Sequence, residues 1–435
     1  MRIVLFTPAL KVSAIGRMAC LVALELTRIG HAVTIVRSED ECFLLAKDET
    51  HAFGGVELVA WNDHQAVERR LASADAVVYQ MGNHFPFHRG CLEWLPQYPG
   101  LVCLHDFYLG DLFYGWAQSR RHEAEEVLNQ CYGENAARDF FTASGRISFL
   151  DETRDTSPMT EWLCAMATGV ITHSAWGIDR VKASCPGPVY VVPLAYDAGQ
   201  GVSARDERRE VDDSIHVLTV GHVNPNKRTS SIIRAIASSG VLKDRVAYHI
   251  VGSIQDDVLQ ELEALAGGLG VNLRISGEVN SVDLDEAFRV ADIVCCLRWP
   301  SLEAASASTI EALLHGKAVV VTDTGFYSEL PDHCVLKIRP DDEISSLRLA
   351  LEQLSLDEHL RRAMGERGRR WASKTFTAQI YAEQVVVASR AVAQARPILD
   401  AIGYFRRLIS MWGGSGVGVK EALPALKVFD GASPK

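Results

Sequence analysis

The sequence predicts an α/β protein made of two doubly wound domains. Three observations predict it. Short apolar runs of the kind buried in parallel sheets alternate with helical patterns along most of the 435 residues. The chain opens on a strand–loop–helix–strand unit, as such a domain starts. The same pattern then restarts at His216, after a polar, charged and glycine-containing stretch at 195–213, AYDAGQGVSARDERREVDD, of the kind that links domains. The expected organisation is a first domain over 1–195, a linker over 196–213, a second domain over 214–375 and C-terminal helices over 376–435 that pack back toward the first domain.

In chain order, residues 2–7, RIVLFT, read as the first strand, and Arg17 to Ile29 as a helix with apolar residues at helical spacing, stopped by Gly30. HAVTIV at 31–36 is the next strand. Gly16 stands nearly alone where a dinucleotide-binding loop would carry GxGxxG, which weakens a dehydrogenase reading. Gly16 either lets a phosphate or an acceptor approach the backbone or is a simple loop glycine. Further strands are expected at Val56–Ala60, Ala76–Tyr79, Leu101–Leu104 and Val170–Thr172, with helices at Ala66–Ala72 and Ala117–Cys131. Ligands of such sheets bind at the carboxyl ends of strands. Asn83 follows one such end, His105 and Asp106 another, and His173 a third. A histidine there can bond a sugar hydroxyl or handle a proton, and Asp106 can orient it or bind an acceptor hydroxyl. Residues 111–165 are irregular, with mixed charge, and suit a cover for the cleft or a partner surface.

In the second half, HVLTV at 216–220 is a strand and Gly221 to Arg228 a turn-rich loop. Thr229 or Ser230 is expected to cap the next helix. Lys227 and Arg228 place cations at that helix N-terminus, where a diphosphate is well met. After the strand Leu273–Gly277, the backbone of Gly277 and Val279 can contact a base. The stretch Trp299–Gly325, WPSLEAASASTIEALLHGKAVVVTDTG, holds Glu303 and Glu311 eight positions apart around the small residues Ala304 to Ser308. Ser306 or Ser308 caps a helix that Gly316 stops. A helix starting beside a small-residue loop suits a phosphate, and the two carboxylates suit hydroxyls at the two ends of a nucleotide sugar. Asp283-Leu284-Asp285 imitates a metal-binding DxD but reads as helix capping.

The net charge of −11 excludes a general nucleic-acid binder. The ten cysteines show no CxxC pair or zinc spacing and read as reduced thiols of a cytosolic protein. The start lacks a signal-peptide pattern and no apolar run reaches membrane-spanning length, so a soluble, cytoplasmic protein is expected. At the far end, Ile398, Ile402, Phe405, Ile409 and Trp412 form an amphipathic stripe beside Arg406 and Arg407. It reads either as a peripheral membrane contact or as a face packed on the first domain. The oligomeric state stays open.

These residues resemble the retaining GT-B glycosyltransferases, in particular family 4. The likeness covers most of 1–395. It rests on Glu303-x7-Glu311 followed by HGKAVVVTDTG, on Gly221-His222 to Lys227, on His105-Asp106 after a strand, on THS at 172–174 and on VVPLAYD at 191–197. The resemblance implies two Rossmann-like domains facing a central cleft. It implies a nucleotide-sugar donor on the second domain and a glycan or lipid-linked acceptor on the first, with no cofactor and no metal. By resemblance, Glu311 binds the ribose hydroxyls, Glu303 and the amides of Ala304, Ala305 and Ser306 face the transferred sugar, and Lys227 binds the diphosphate. His105 meets the sugar or its acceptor, and Gly16 lies near the phosphates. One departure stands out. The family carries arginine where this chain has His222, so diphosphate binding is expected to be weaker and pH-sensitive unless Arg228 compensates. The function implied is retaining transfer of a sugar, in bacterial cell-surface polysaccharide assembly. The alternatives are a nucleotide-sugar epimerase on the same architecture and a non-catalytic nucleotide-sugar-binding scaffold, which His222 keeps open.

Overall fold

The computed structural model describes residues 1–45, 49–146, 148–196 and 214–411, the side chains of 403 and 405–411 excepted. Two parallel sheets carry the chain. The first holds β1 Arg2–Thr7, β2 Ala32–Arg37, β3 Glu57–Ala60, β4 Ala76–Met81, β5 Leu101–Leu104, β6 Gly169–Thr172 and β7 Val189–Val191, in the order β3-β2-β1-β4-β5-β6-β7. The second holds β8 Ile215–Val220, β9 Val246–Val251, β10 Asn272–Ile275, β11 Ile293–Cys296, β12 Ala318–Thr322 and β13 Val335–Ile338, in the order β10-β9-β8-β11-β12-β13. The sequence explains both. LVCL of β5 and AVVVT of β12 are buried at every position, as strands covered by helices on both faces must be.

Strand order reverses between β1 and β4 in the first sheet and between β8 and β11 in the second. Such switch points open a crevice at the carboxyl ends of the strands. The segments that follow these four strands hold Gly16, Asn83, Lys227 and Glu303, Gly16 standing in the first turn of the first helix rather than in a loop. His105 and His173 follow β5 and β6, next along the first sheet.

One face of the first sheet packs Val4, Phe6 and Tyr79 against Trp94, with the Phe6 and Tyr79 rings stacked at 4.6 Å. The other face continues into a cluster that joins both halves. It runs from Leu5 and Met18 through Tyr381 and Val385 to Leu218 and Ile310. Tyr381 and Val385 belong to the long helix Ala378–Met411, which lies against the helix Ala14–Arg28 and against β4, β5 and β6. That helix is continuous through Pro397. Ile398 is half exposed, while the side chains of Phe405, Arg406, Arg407 and Ile409, and Trp412 altogether, lie outside the described residues, as does the linker at 197–213. Among the described residues no helix is long and apolar enough to cross a membrane.

Local signals set most boundaries. The first helix begins at Ala14, earlier than its apolar spacing suggests, because the Ser13 hydroxyl accepts from the Gly16 N–H. The region 111–165 is helical rather than irregular. Gly110–Ala117, Arg121–Tyr132, Ala136–Ala143, Phe149–Thr153 and Thr160–Met166 gather around Phe113, Phe140 and Trp162.

Candidate active site

The loop after β8 is shaped by two glycines. Gly221 has φ +94° and Gly252, at the end of β9, has φ +148°, and the two backbones lie in contact. No side chain fits either place. The chain then forms the turn Pro225–Lys227 and enters the helix Thr229–Ala237 through Arg228 in the left-handed region at φ 57°. Neither Thr229 nor Ser230 caps that helix: Arg228 occupies the cap position without a side-chain bond, and Thr229 is buried in the first turn. The Lys227 ammonium is buried and donates to the Val220 carbonyl at 2.6 Å. Burial pushes its pKa down to about 7, the neighbouring Arg298 adds to the shift, and Glu303 opposes it. The Arg228 guanidinium is bound by both oxygens of Glu343, at 3.1 and 2.8 Å. His222 is exposed, with Nδ1 3.0 Å from the Ser253 hydroxyl. The expected compensation of His222 by Arg228 therefore meets a competing partner, Glu343.

The loop after β11 carries a charged core. Arg298 is buried, its Nε donates to Glu303 at 2.8 Å, and its Nη1 donates to the Leu297 carbonyl at 2.7 Å. The Tyr327 hydroxyl donates to the same Glu303 oxygen at 2.7 Å. Glu303 is thus aimed rather than free to rotate. It precedes the helix Ala307–Leu314, so only the second half of the Glu303–Glu311 spacing is helical. Ser306, and not Ser308, is the cap: its hydroxyl accepts from the Thr309 N–H at 3.4 Å. Gly316, at φ +65°, follows the helix end. The earlier helix Ser281–Val290 is capped by Asn280, and Asp283 accepts from the Asn280 amide at 2.8 Å. On the edge of the same sheet, the Gly277 carbonyl accepts from the Gly252 N–H at 2.8 Å, and Val279 is partly buried.

Across the cleft, His105 is buried and its Nε2 lies 2.7 Å from Gln80 Oε1. A carbonyl oxygen accepts, so Nε2 carries the proton. Burial, with His173 and His88 nearby, holds the His105 pKa well below the usual range. The His173 ring lies 4.7 Å from His105, and its Nδ1 donates to the Val192 carbonyl at 3.1 Å. Its Nε2 is then a bare acceptor, buried and without a partner among the described residues. Asp106 accepts from the Asn83 N–H at 2.8 Å. Asn83 in turn ties down the next helix, accepting from the N–H groups of Asp111 and Leu112. Burial pushes the Asp106 pKa up to about 7, with Glu303 and Asp111 adding repulsion. Gly16 has a packing reason of its own: a Cβ there would meet the Pro8 carbonyl oxygen at 2.7 Å.

The two halves are joined by backbone. The Ala304 N–H donates to the His105 carbonyl at 2.9 Å, and the Phe107 N–H to the Leu302 carbonyl at 2.8 Å. The amide of Ala304 is therefore engaged with the first domain, leaving Ala305 and the start of the helix to meet a ligand. A second junction forms where the Glu329 carboxylate accepts from Ala175 and Trp176 N–H groups at 3.0 and 2.7 Å. Between the halves lies a cavity of about 280 Å³, lined by Arg17, His105, Asp106, His173, Tyr196, Glu303 and Ala305 among others. At one side of it Tyr196 stands beside the Glu311 carboxylate. Burial raises the Glu311 pKa, and Tyr196 and Arg17 oppose the shift.

Of the residues the sequence singles out, Glu303, His105, Asp106, His173 and Ala305 line one cavity, and Glu311 borders it through Tyr196. Lys227 lies beneath, close enough to feel Glu303 and Arg298. Gly277 and Val279 stand apart, past the edge strand. Arg17, Tyr196, Arg298, Tyr327 and Glu329 were not foreseen. For Arg298 there was a signal: a charge placed at the end of the apolar run IVCCL must face a partner. Among the described residues, Asp285, Glu311 and His315 bring ligand atoms within 4.8 Å of one another. Arg17, 3.9 Å from Glu311, opposes a second cation there.

Two facing parallel sheets with the site between their switch points define the GT-B class. The family of glycosyl transferases group 1 matches residues 203–371, the half that holds Lys227, Glu303 and Glu311. The chain is 28% identical over 232 residues to the MMP α-(1→4)-mannosyltransferase of Mycolicibacterium hassiacum. That match spans 52% of this chain and only 54% of the relative. The fold is similar to that of Anabaena HepE, solved with UDP and glucose, at a TM-score of 0.57 and 15% identity over 89% of this chain and 98% of the other. It is also similar to WaaG, a glycosyltransferase of lipopolysaccharide biosynthesis, at a TM-score of 0.59 and 17% identity over 89% and 99% of the two chains.

Proposed function

We propose that the protein is a glycosyltransferase that moves a sugar from a nucleotide-sugar donor to a glycan or lipid-linked acceptor, with retention of configuration. The observation that carries this proposal is the cavity between the two halves in which Glu303 of the second domain meets His105 and Asp106 of the first. The donor lies on the second domain, with its ribose at Glu311 and its sugar at Glu303 and the amides from Ala305 on. The leaving diphosphate sits over the start of the helix Ala307–Leu314 and near Lys227, where cationic and dipolar groups meet its developing charge without a metal. Closure of the two halves excludes water and so limits donor hydrolysis. The leaving phosphate helps take the acceptor proton on the same face. A role in cell-surface polysaccharide assembly is supported by the likeness to WaaG, a glycosyltransferase of lipopolysaccharide biosynthesis.

Thermal shift with nucleoside diphosphates and nucleotide sugars tests the donor site, because a bound donor stabilises the fold by mass action. We expect one donor to raise Tm and Glu311→Ala to abolish the rise. With that donor and its acceptor, Lys227→Ala should lower transfer about a hundredfold or more, as loss of one group that meets developing charge does. Wild-type transfer by both variants would refute the site. Sugar altered while still attached to its nucleotide would favour an epimerase instead.

A further inference from the structure

Arg17 stands in the first turn of the helix Ala14–Arg28, on the domain opposite the proposed donor. Its base is firmly set. The buried Glu39 carboxylate accepts from the N–H groups of Ala9 and Leu10, and the Ser13 hydroxyl then caps the helix. The guanidinium reaches across the cleft, where it lines the cavity together with Glu303. Its Nη1 is 3.3 Å from the Tyr196 hydroxyl and 3.9 Å from Glu311 Oε1, and the group lies 5.0 Å from the centre of the Tyr196 ring. It thus approaches Glu311 and lines the same cavity as Glu303, the two carboxylates that would mark the ends of a nucleotide sugar.

The other cations of the cleft are already held. Lys227 donates to Val220, the Arg228 Nε–H is shared between the two oxygens of Glu343, and Arg298 is bound by Glu303 and Leu297. The contacts of Arg17 are long, and its side chain is 44% exposed. A planar fork that is poorly satisfied, fixed at its base and open at its tip, is suited to a bidentate phosphate contact.

We propose that Arg17 binds the diphosphate of the nucleotide sugar from the far side of the cleft. This rests on the donor-site reading above. On binding, the guanidinium leaves its 3.9 Å approach to Glu311 for the phosphate oxygens, and Glu311 becomes available to the ribose hydroxyls. Because Arg17 and the donor lie on different domains, the same contact favours the closed arrangement.

The test uses the full chain and calorimetric titration of UDP, GDP and ADP beside uridine, guanosine and adenosine, with wild type, Arg17→Gln, Arg17→Lys and Glu311→Gln. For the base that binds, Arg17→Gln should weaken the diphosphate about tenfold to a hundredfold, the span of a charged hydrogen bond, and leave the nucleoside unchanged. Arg17→Lys should fall between, keeping the charge and losing the fork. Glu311→Gln should weaken nucleoside and diphosphate alike. Equal diphosphate binding by wild type and Arg17→Gln overturns the role of Arg17 and leaves the donor site standing. So does an equal loss of nucleoside and diphosphate in Arg17→Gln, which would mark Arg17 as a support for Glu311. If wild type binds no nucleoside diphosphate, the donor site falls and this proposal with it.

Discussion

Asp106 and Glu303, from opposite domains, face one another across the cleft in an isolated antiparallel bridge. Main-chain bonds on either side, from Ala304 to His105 and from Phe107 to Leu302, hold them there. Glu303 accepts from Arg298 and Tyr327. Asp106 has only main-chain and burial around it, so the repulsion falls on its proton.

The pH dependence of stability follows with a definite sign. An unfolded aspartate titrates near 3.9, whereas the native Asp106 titrates at about 7. Between those values the native state binds the extra proton, so this residue makes Tm fall as pH rises through the window. Asp106→Asn should match wild type near pH 4 and exceed it increasingly up to pH 7. A Tm series from pH 4 to 8 on both proteins checks this; parallel curves would show that Asp106 does not titrate there.

Lys227 has the opposite character. Its native pKa of about 7 leaves the ammonium partly discharged at neutral pH. A diphosphate favours the charged form, so donor binding should take up a proton above pH 7. Affinity should then fall by up to about tenfold for each pH unit above 7, until the bound-state pKa is passed. Titration calorimetry in two buffers of different ionisation enthalpy reads the proton directly, and Lys227→Met should remove it.

Gly221→Ala tests the loop geometry. A Cβ at that glycine would meet the Lys227 ammonium at 2.6 Å, and φ +94° is strained for alanine. We expect a loss of about 1–3 kcal/mol in stability from the backbone alone, measured by chemical denaturation. Diphosphate binding should weaken further than that loss explains, because Lys227 is pushed aside.

Glu329 acts as a latch between the halves through Ala175 and Trp176. Glu329→Ala removes two hydrogen bonds at an exposed junction of the halves and should favour an opened molecule. A larger radius of gyration by X-ray scattering, with the binding sites for nucleotide intact, is the expected result.

Much of this was legible in the chain. The run RIVLFT and the alternation after it give the sheet of the first half, and Glu303-x7-Glu311 marks the second switch point. Those signals are local, set by periodicity and capping within a few residues. Arg17, Tyr196 and Glu329 carry no such signal. Each gains its partner only when two segments far apart in the chain meet: Arg17 and Tyr196 are 179 residues apart, and Glu329 is 153 from Trp176. Arg228 shows the same limit from the other side. Its place at a helix start suggested a phosphate clamp, while Glu343, 115 residues on, occupies it. Gly16 was read either as an approach for a phosphate or as a simple loop glycine, whereas the structure gives it a packing reason in the Pro8 carbonyl against it.

The central claim is retaining transfer from a nucleotide sugar, and time-resolved proton NMR of the donor tests it most directly. With the nucleotide sugar that stabilises the fold, we expect nucleoside diphosphate to appear together with a released or transferred sugar that first carries the anomeric configuration of the donor. A first product of inverted configuration, or a sugar that changes while still bound to its nucleotide, would contradict it.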